Sequence, residues 1–181
     1  MPRLLAVLLL TLLGLPRVGE AAPFAEEYSI KAAYLFKFTK FVEWPREAFQ
    51  SDPGHHVFCV YRADPFGEVL DRTLAGKQVE GRTAVVRRVK NLEELPRCQV
   101  VFLAAAEAAG LPKVLTALGE TPVLLVGESP GFATRGGMVN FVLRERNVRF
   151  EINPRAAAQA RLKLDAQLLD LAEIVGAGRL E

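Results

Sequence analysis

Short strand-like segments rich in apolar residues recur along this sequence, and segments of helical character separate them. The strands are predicted at residues 57–61 (VFCVY), 82–89, 100–104 (VVFLA) and 121–128. A strand that is apolar at successive positions needs cover on both faces of its sheet. Helical segments at residues 64–77 and 107–118 would supply that cover. The alternation therefore predicts an α/β fold with a mostly parallel sheet and helices on both faces.

The C-terminal part of the sequence has a different pattern. Residues 137–154 have the pattern of two strands around residues 144–147, which predicts an antiparallel β-hairpin at one edge of the sheet. Residues 154–175 begin with a proline and carry a broad leucine stripe, so they predict one long closing helix. Because no repeat, linker or low-complexity stretch interrupts residues 22–181, we expect them to form a single compact domain.

The first 21 residues have the layout of a secretory signal peptide. Arg3 precedes an apolar run at residues 4–13. Gly19 and Ala21 then provide the small residues for cleavage near Ala21/Ala22. The run is shorter than the about 20 residues of a spanning helix, although an uncleaved anchor is the alternative. We therefore expect an exported protein.

Charge and cysteine content limit the partners and the covalent chemistry. The sequence carries a net charge of +2, and loss of Arg3, Arg17 and Glu20 with the leader lowers it to +1. So small a charge gives no electrostatic reason to expect nucleic acid. The two cysteines, Cys59 and Cys98, could form a disulfide in an oxidising compartment, and two separate buried thiols are the alternative.

The sequence motifs give no support to catalysis. GESPG at residues 127–131 matches the G-x-S-x-G pattern of a nucleophile elbow, but Pro130 follows the serine and has no N–H for an oxyanion hole. His55 and His56 are adjacent and point apart, and no nearby ligand set completes a metal site. Glycine-rich phosphate-binding motifs are lacking as well. We expect a protein that is not an enzyme and that needs no cofactor or metal.

Residues 30–45 (IKAAYLFKFTKFVEWP) carry more apolar surface than one core stripe uses. As a helix, they place Tyr34 and Phe38 on one face and lysines on the other. Phe36 lies among those polar residues, and Trp44 follows at the end. Both side chains could pack in a core that has two apolar sides. Alternatively, they form a protein-contact surface, where aromatic anchors are favoured.

The predicted hairpin offers a second candidate contact surface. Its tip is charged, with the sequence Arg144-Glu145-Arg146. A hairpin at the edge of a sheet presents unpaired backbone groups, to which another chain can bind. A purely structural hairpin is the alternative.

Three stretches together resemble the YfiR family of small periplasmic proteins. They are IKAAYLFKFTKFVEWP, GKQVEGR at residues 76–82, and the segment from GFATRGGMVNF through RFEINP to LAEIV at residues 131–175. The resemblance covers essentially the whole mature chain and implies a compact α/β domain. It also implies a periplasmic repressor that binds the periplasmic sensor region of a membrane-bound diguanylate cyclase, which lowers cyclic di-GMP and biofilm formation. An outer-membrane lipoprotein can sequester repressors of this family, and family members tend to be homodimers.

The resemblance further implies which residues contact the partner. The matching positions lie in the C-terminal half of the chain: Phe132, Glu145, Phe150, Ile152 and Gln167. It also implies disulfides that link stability to periplasmic redox state, and Cys59 with Cys98 is consistent with one such bond. Some relatives have a second cysteine pair near the Gly136-Gly137 turn, and this sequence lacks it.

A periplasmic small-molecule-binding domain that serves a sensor kinase or a transporter is the alternative function. The strand ends of an α/β sheet offer a cleft, and Arg146, Arg149 and Lys163 could receive an anionic ligand there. Saturable binding of a small molecule without a protein partner would favour this alternative.

Overall fold

The computed structural model describes residues 21–176, with side chains from residue 24 onward. The predicted signal peptide, residues 1–21, lies outside the described residues except at its last position, where the first helix begins. The described helices are α1 (Ala21–Phe38), α2 (Glu68–Leu74), α3 (Leu111–Leu118), α4 (Pro154–Gln159) and α5 (Ala166–Asp170). Short 3-10 helices lie at Arg46–Phe49, Leu92–Arg97 and Ala105–Gly110.

The strands belong to one large sheet and one small one. They are β1 (Val42–Glu43), β2 (His55–Tyr61), β3 (Gln78–Val79), β4 (Arg82–Val89), β5 (Val100–Leu103), β6 (Leu124–Gly127), β7 (Val139–Arg144), β8 (Asn147–Ile152), β9 (Lys163–Leu164) and β10 (Glu173–Ile174). Within residues 21–176, eight of them form a sheet in the order β10–β8–β7–β6–β5–β2–β4–β3. β1 and β9 pair separately. In the spatial run β7–β6–β5–β2–β4, every neighbouring pair of strands is parallel. This confirms the predicted mostly parallel sheet.

Strand β5 is covered on both faces, which explains why all of its residues are apolar. On β5, Val100 and Phe102 join a core beneath α1 and α2. Val101 and Leu103 point to the opposite face and join a second core beneath α3. All four side chains are buried. Helices on both faces of the sheet are thus confirmed.

The C-terminal hairpin is confirmed, with a two-residue turn between β7 and β8. Arg144 pairs with Asn147, so Glu145 and Arg146 form the turn. Both turn residues have positive φ angles, 49° and 66°. This is the backbone of a type I′ turn, which matches the twist of the two strands but is more often built from asparagine and glycine.

The prediction of one long closing helix at residues 154–175 is wrong. The chain instead forms α4, then β9, then α5 and finally β10. The interruption has a local cause, because the Asp165 side chain accepts the Gln167 N–H and starts a new helix. It also has a tertiary cause, because β9 pairs with β1 and the Asp165 N–H donates to the Phe41 carbonyl. Pairing with a distant segment therefore overrides the leucine pattern.

The helix predicted over residues 30–45 ends at Phe38. A turn follows, and then residues 42–43 form β1. The residue before a proline disfavours helical backbone, and Trp44 precedes Pro45. Phe41 and Trp44 therefore do not share a helix with Phe36, and the predicted helical faces extend only to Phe38.

Candidate partner-binding surface

An apolar groove of about 840 Å³ lies where the C-terminal half of α1 meets α2 and α5. Its apolar lining is aromatic on the α1 side and aliphatic on the α5 side. The lining side chains that matter here are Tyr34, Phe36, Phe41, Phe150, Leu168 and Leu171. Leu171 is 70% exposed, whereas Leu168 and Phe150 are buried and form the floor. The groove therefore presents concave apolar surface to solvent.

Four basic side chains form the rim of this groove: Lys37, Lys40, Arg72 and Lys77. The Lys40 and Lys77 ammonium groups lie 5.4 Å and 5.1 Å from the centre of the Phe36 ring. Arg72 pairs with Glu68 at 2.9 Å. Among residues 21–176, no carboxylate forms a salt bridge with the three lysines. We call this site the lysine-rimmed groove, and its positive charge favours an anionic or acidic partner.

Phe36 and Trp44 were predicted to share one contact surface, and the structure separates them. Phe36 is half-buried and lines the lysine-rimmed groove. Trp44 instead packs edge-to-face on His56, with ring centres 4.8 Å apart. Its Nε1–H is buried and has no hydrogen-bond partner in the described part of the chain. Phe36 is therefore the residue of the two that can contact a partner at the groove.

Three of the residues that the resemblance assigned to the partner are buried. Phe132 and Ile152 are 0% exposed, and Phe150 is 5% exposed. The Phe132 ring fills the space beside Gly127 and Gly137, where an added Cβ would lie 2.4 Å and 2.1 Å from ring atoms. In this conformation Phe132 and Ile152 therefore stabilise the domain and do not present themselves to a partner.

The remaining assigned residues, Glu145 and Gln167, are exposed. Gln167 belongs to α5, whose Leu168 and Leu171 line the lysine-rimmed groove. Glu145 lies at the tip of the hairpin. Of these two residues, Gln167 therefore lies on a helix that lines the groove, and Glu145 does not.

A second concave site, which we call the polar pocket, lies at the carboxyl end of β6. It measures about 510 Å³, and its lining includes Glu27, Lys31, Glu128, Asn140 and Glu151. The Lys31 ammonium pairs with Glu27 and lies 2.6 Å from Glu128 Oε2. Although Lys31 is only 4% exposed, its charge is therefore compensated.

Tyr28 and a backbone amide complete the surroundings of the Glu128 carboxylate. The Tyr28 hydroxyl lies 3.0 Å from each carboxylate oxygen, and the Ala105 N–H donates to Oε1 at 3.2 Å. Burial, followed by the charge of Glu128, raises the pKa of Tyr28 well above its usual range. The phenol therefore stays protonated and donates to the carboxylate.

The polar pocket was not predicted from the sequence. Two local signals pointed to it, because Glu27 and Lys31 are one helical turn apart and Glu128 directly follows a buried strand. The anion site expected at Arg146, Arg149 and Lys163 is not assembled. Lys163 lies in β9 and pairs with Glu43 at 3.6 Å, while the two arginines belong to the hairpin.

The Cys59–Cys98 disulfide is present and joins β2 to the segment before β5. Both cysteines are buried in the core beneath α3. The alternative of two separate thiols is therefore wrong for this structure. Such a bond is typical of an oxidising compartment.

The model of a known protein family matches residues 28–173 of this chain, and its description is YfiR/HmsC-like. The chain belongs to the YfiR/HmsC-like family. The family is one of periplasmic regulatory proteins, which agrees with the expectation of a regulatory role for this YfiR/HmsC-like protein. No helix in residues 21–176 is long and apolar enough to span a membrane.

Solved structures share the fold of this YfiR/HmsC-like protein, whereas no curated protein matches its sequence. A conserved domain protein from Vibrio cholerae O1 biovar El Tor has a TM-score of 0.53 and 11% identity, covering 79% of this chain and 59% of that one. An ABC domain from Streptococcus pneumoniae, solved in complex with L-Trp, has a TM-score of 0.52 and 11% identity, covering 84% and 60%. The chain thus spans about three fifths of each neighbour. Likeness at this identity shows the fold alone.

Proposed function

We propose that this protein binds the periplasmic sensor region of an inner-membrane diguanylate cyclase and holds the enzyme inactive, which lowers cyclic di-GMP and biofilm formation. The observation that carries the proposal is the lysine-rimmed groove. Its apolar floor and its lysines without carboxylate partners among the described residues suit an amphipathic segment with acidic flanks. Membership in a family of periplasmic regulators supports the same conclusion.

The energy that such a regulator needs is small. A repressor acts by binding the inactive state of the sensor more tightly than the active state. A tenfold shift between these states requires about 1.4 kcal/mol of differential binding. Burial of one aromatic side chain such as Phe36 at an interface contributes energy of this order. The groove can therefore supply the required bias without any catalytic group.

Cellular cyclic di-GMP in a deletion strain tests this function. We expect deletion to raise cyclic di-GMP and the exported wild-type protein to restore the low level. Phe36→Ser should fail to restore it, because the substitution removes apolar contact area at the groove. Phe24→Ser is the matched control, since Phe24 lies on the same helix, is 55% exposed and does not line the groove.

Two results would contradict the proposal. Unchanged cyclic di-GMP after deletion would reject regulation of a diguanylate cyclase. Full restoration by Phe36→Ser would place the contact surface elsewhere, with the hairpin tip at Glu145 as the next candidate. Both variants must be present in the periplasmic fraction at wild-type levels, which also tests the predicted export and cleavage near Ala21/Ala22.

The outer-membrane lipoprotein and the homodimer that the resemblance implies stay predictions. Light scattering of the purified protein over a range of concentrations would test the dimer. Co-purification of a lipoprotein that relieves repression when it is overproduced would test the sequestering partner.

A small-molecule-binding domain that serves a sensor kinase or a transporter is a second candidate function. The polar pocket favours it, because open α/β sheets bind ligands at the carboxyl ends of their strands. The Streptococcus pneumoniae neighbour was solved with L-Trp. Saturable ligand binding, together with unchanged cyclic di-GMP on deletion, would favour this function over the first.

A further inference from the structure

The polar pocket contains a buried hydrogen-bond acceptor that nothing in the described chain satisfies. Asn140, on β7 beside the last residue of β6, is 1% exposed. Its Nδ2 donates to Glu151 Oε2 at 2.9 Å. Its Oδ1 has no hydrogen-bond partner among residues 21–176. A buried acceptor without a donor costs free energy, so this oxygen calls for a donor from outside the described protein.

The orientation of the Asn140 amide follows from its neighbour. If the amide were turned over, its oxygen would face the Glu151 carboxylate, and two acceptors would repel each other. The unpartnered atom is therefore the oxygen. The missing group is a hydrogen-bond donor.

The charges around the polar pocket leave a surplus of carboxylates. Lys31 is shared by Glu27 and Glu128. At the other side, Arg144 is shared by Glu173 at 2.9 Å and Glu151 at 3.6 Å. Each cation thus serves two carboxylates. Among the lining residues, Glu27, Glu128 and Glu151 outnumber Lys31 and Arg144 by three to two, so the lining keeps a net charge of −1. That charge disfavours an anionic ligand and favours a cationic one.

We propose that the polar pocket binds a small aliphatic primary amine, whose ammonium group donates hydrogen bonds to Asn140 Oδ1 and the Glu151 carboxylate. An ammonium group has three donors and no acceptor, which matches an acceptor-rich site. A linear diamine is a suitable ligand, because its second ammonium group can pair with Glu173, the carboxylate outside the lining that shares Arg144 with Glu151. The volume of about 510 Å³ is in the range of small-molecule sites. The site has no part in the proposed binding of a membrane enzyme, so the two ideas can fail separately.

Isothermal titration of the purified protein with 1,4-diaminobutane at neutral pH tests the proposal. We expect saturable binding with one equivalent per chain, and no binding of 1,4-butanediol, which has the same length and no charge. Glu151→Gln should weaken binding by about tenfold or more, as expected for loss of a charge-assisted hydrogen bond. Glu93→Gln, an exposed acidic residue that does not line the pocket, is the matched control.

Asn140→Leu separates ligand binding from folding. The substitution removes an unsatisfied oxygen and keeps a similar volume, so we expect thermal stability close to that of the wild type and binding weakened by about tenfold or more. Absence of diamine binding at millimolar concentration would overturn the proposal and leave a water molecule as the donor to Asn140. Equal affinity of wild type, Glu151→Gln and Asn140→Leu would also overturn it, because the amine would then bind elsewhere.

Discussion

His56 is a buried histidine within an aromatic cluster. Its ring packs against Trp44, Phe49 and Phe58, at centre distances of 4.8, 5.7 and 5.3 Å. Neither ring nitrogen has a hydrogen-bond partner in the described part of the chain. Burial, with a smaller contribution from the charge of Arg82, lowers the pKa of His56 to about 3. The folded state therefore requires the neutral imidazole.

This depressed pKa predicts a loss of stability in mild acid. An unfolded histidine takes up a proton below its ordinary pKa of 6.5, whereas folded His56 does not until about pH 3. The stabilisation is therefore complete above pH 6.5 and is lost as the pH falls toward 3. We expect the free energy of unfolding to drop by about 2 kcal/mol between pH 6.5 and about pH 4.5, measured by urea denaturation.

Two variants test the assignment to His56. In His56→Leu the drop should nearly disappear, while His55→Gln, at the half-buried neighbour, should retain it. Asp52 and Asp71 also have lowered pKa values, because Asp52 is hydrogen-bonded by His55 and Asp71 by Arg88. Their contributions are lost only below the ordinary value of 3.8, outside this window. An unchanged drop in His56→Leu would contradict the prediction.

The turn of the β7–β8 hairpin stores backbone strain. Glu145 and Arg146 both have positive φ angles, which cost about 1 kcal/mol for a residue with a side chain. Replacing them by Asn-Gly should raise the free energy of unfolding by about 1 to 2 kcal/mol, since these residues adopt a type I′ turn readily. Chemical denaturation measures the gain.

The control for the turn is Glu145→Gln with Arg146→Lys, which keeps a side chain of similar size at both positive-φ positions and should give no gain. If Asn-Gly gave no gain either, contacts of the native side chains would already offset the strain. Since Glu145 is also a predicted partner contact, restoration of low cyclic di-GMP by the Asn-Gly variant would show that its carboxylate is dispensable.

The Cys59–Cys98 disulfide constrains the unfolded chain. The cysteines are 39 residues apart. For a loop of that length the chain-entropy model gives about 4 kcal/mol of stabilisation. We expect reduction of the wild type and the double variant Cys59→Ala/Cys98→Ala each to lose an amount of this order in urea denaturation. Reductant should leave the double variant unchanged, and an equal effect of reductant on it would contradict the assignment.

The sequence predicted elements well where local pattern decides them. β2, β5 and β6 fall on the predicted strands because their side chains are buried on two faces, and that burial is visible as an apolar run. β4 (Arg82–Val89) also matches its predicted segment, although most of its side chains are not buried. The prediction of one closing helix at residues 154–175 was wrong because a two-residue strand, β9, carries little sequence pattern of its own. β9 forms by pairing with β1, which is more than 100 residues away in the sequence. Pairing of this kind is a property of the folded chain.

At the scale of the whole molecule, the candidate sites combine residues that are remote in sequence. Lys31 and Glu128 are separated by 97 positions, and Phe36 of α1 lines the same groove as Leu168 of α5. Sequence reasoning identified Phe36 as surplus apolar surface, but it could not show that Lys77 from another element lies over the same ring. It also could not distinguish buried Phe132 from an exposed aromatic anchor.

The charge of the lysine-rimmed groove predicts how the whole molecule recognises its partner. Lys40→Glu/Lys77→Glu should leave stability within about 1 kcal/mol per residue of the wild type, because exposed cation–π contacts are weak. The same variant should weaken capture of the diguanylate cyclase from solubilised membranes by about tenfold or more, since it places acidic groups where we propose an acidic segment binds. Captured material is identified by its synthesis of cyclic di-GMP from GTP.

A matched double variant, Lys90→Glu/Lys113→Glu, makes the same change in net charge at exposed lysines that do not line the groove. We expect it to retain capture, and we expect capture by the wild type to weaken as salt is raised, because screening acts on exposed charges. Equal loss in both double variants would indicate general electrostatic attraction without a specific groove. Full capture by Lys40→Glu/Lys77→Glu would show that the two lysines take no part in recognition. The surplus apolar surface around Phe36 would then need a different partner or a purely structural explanation.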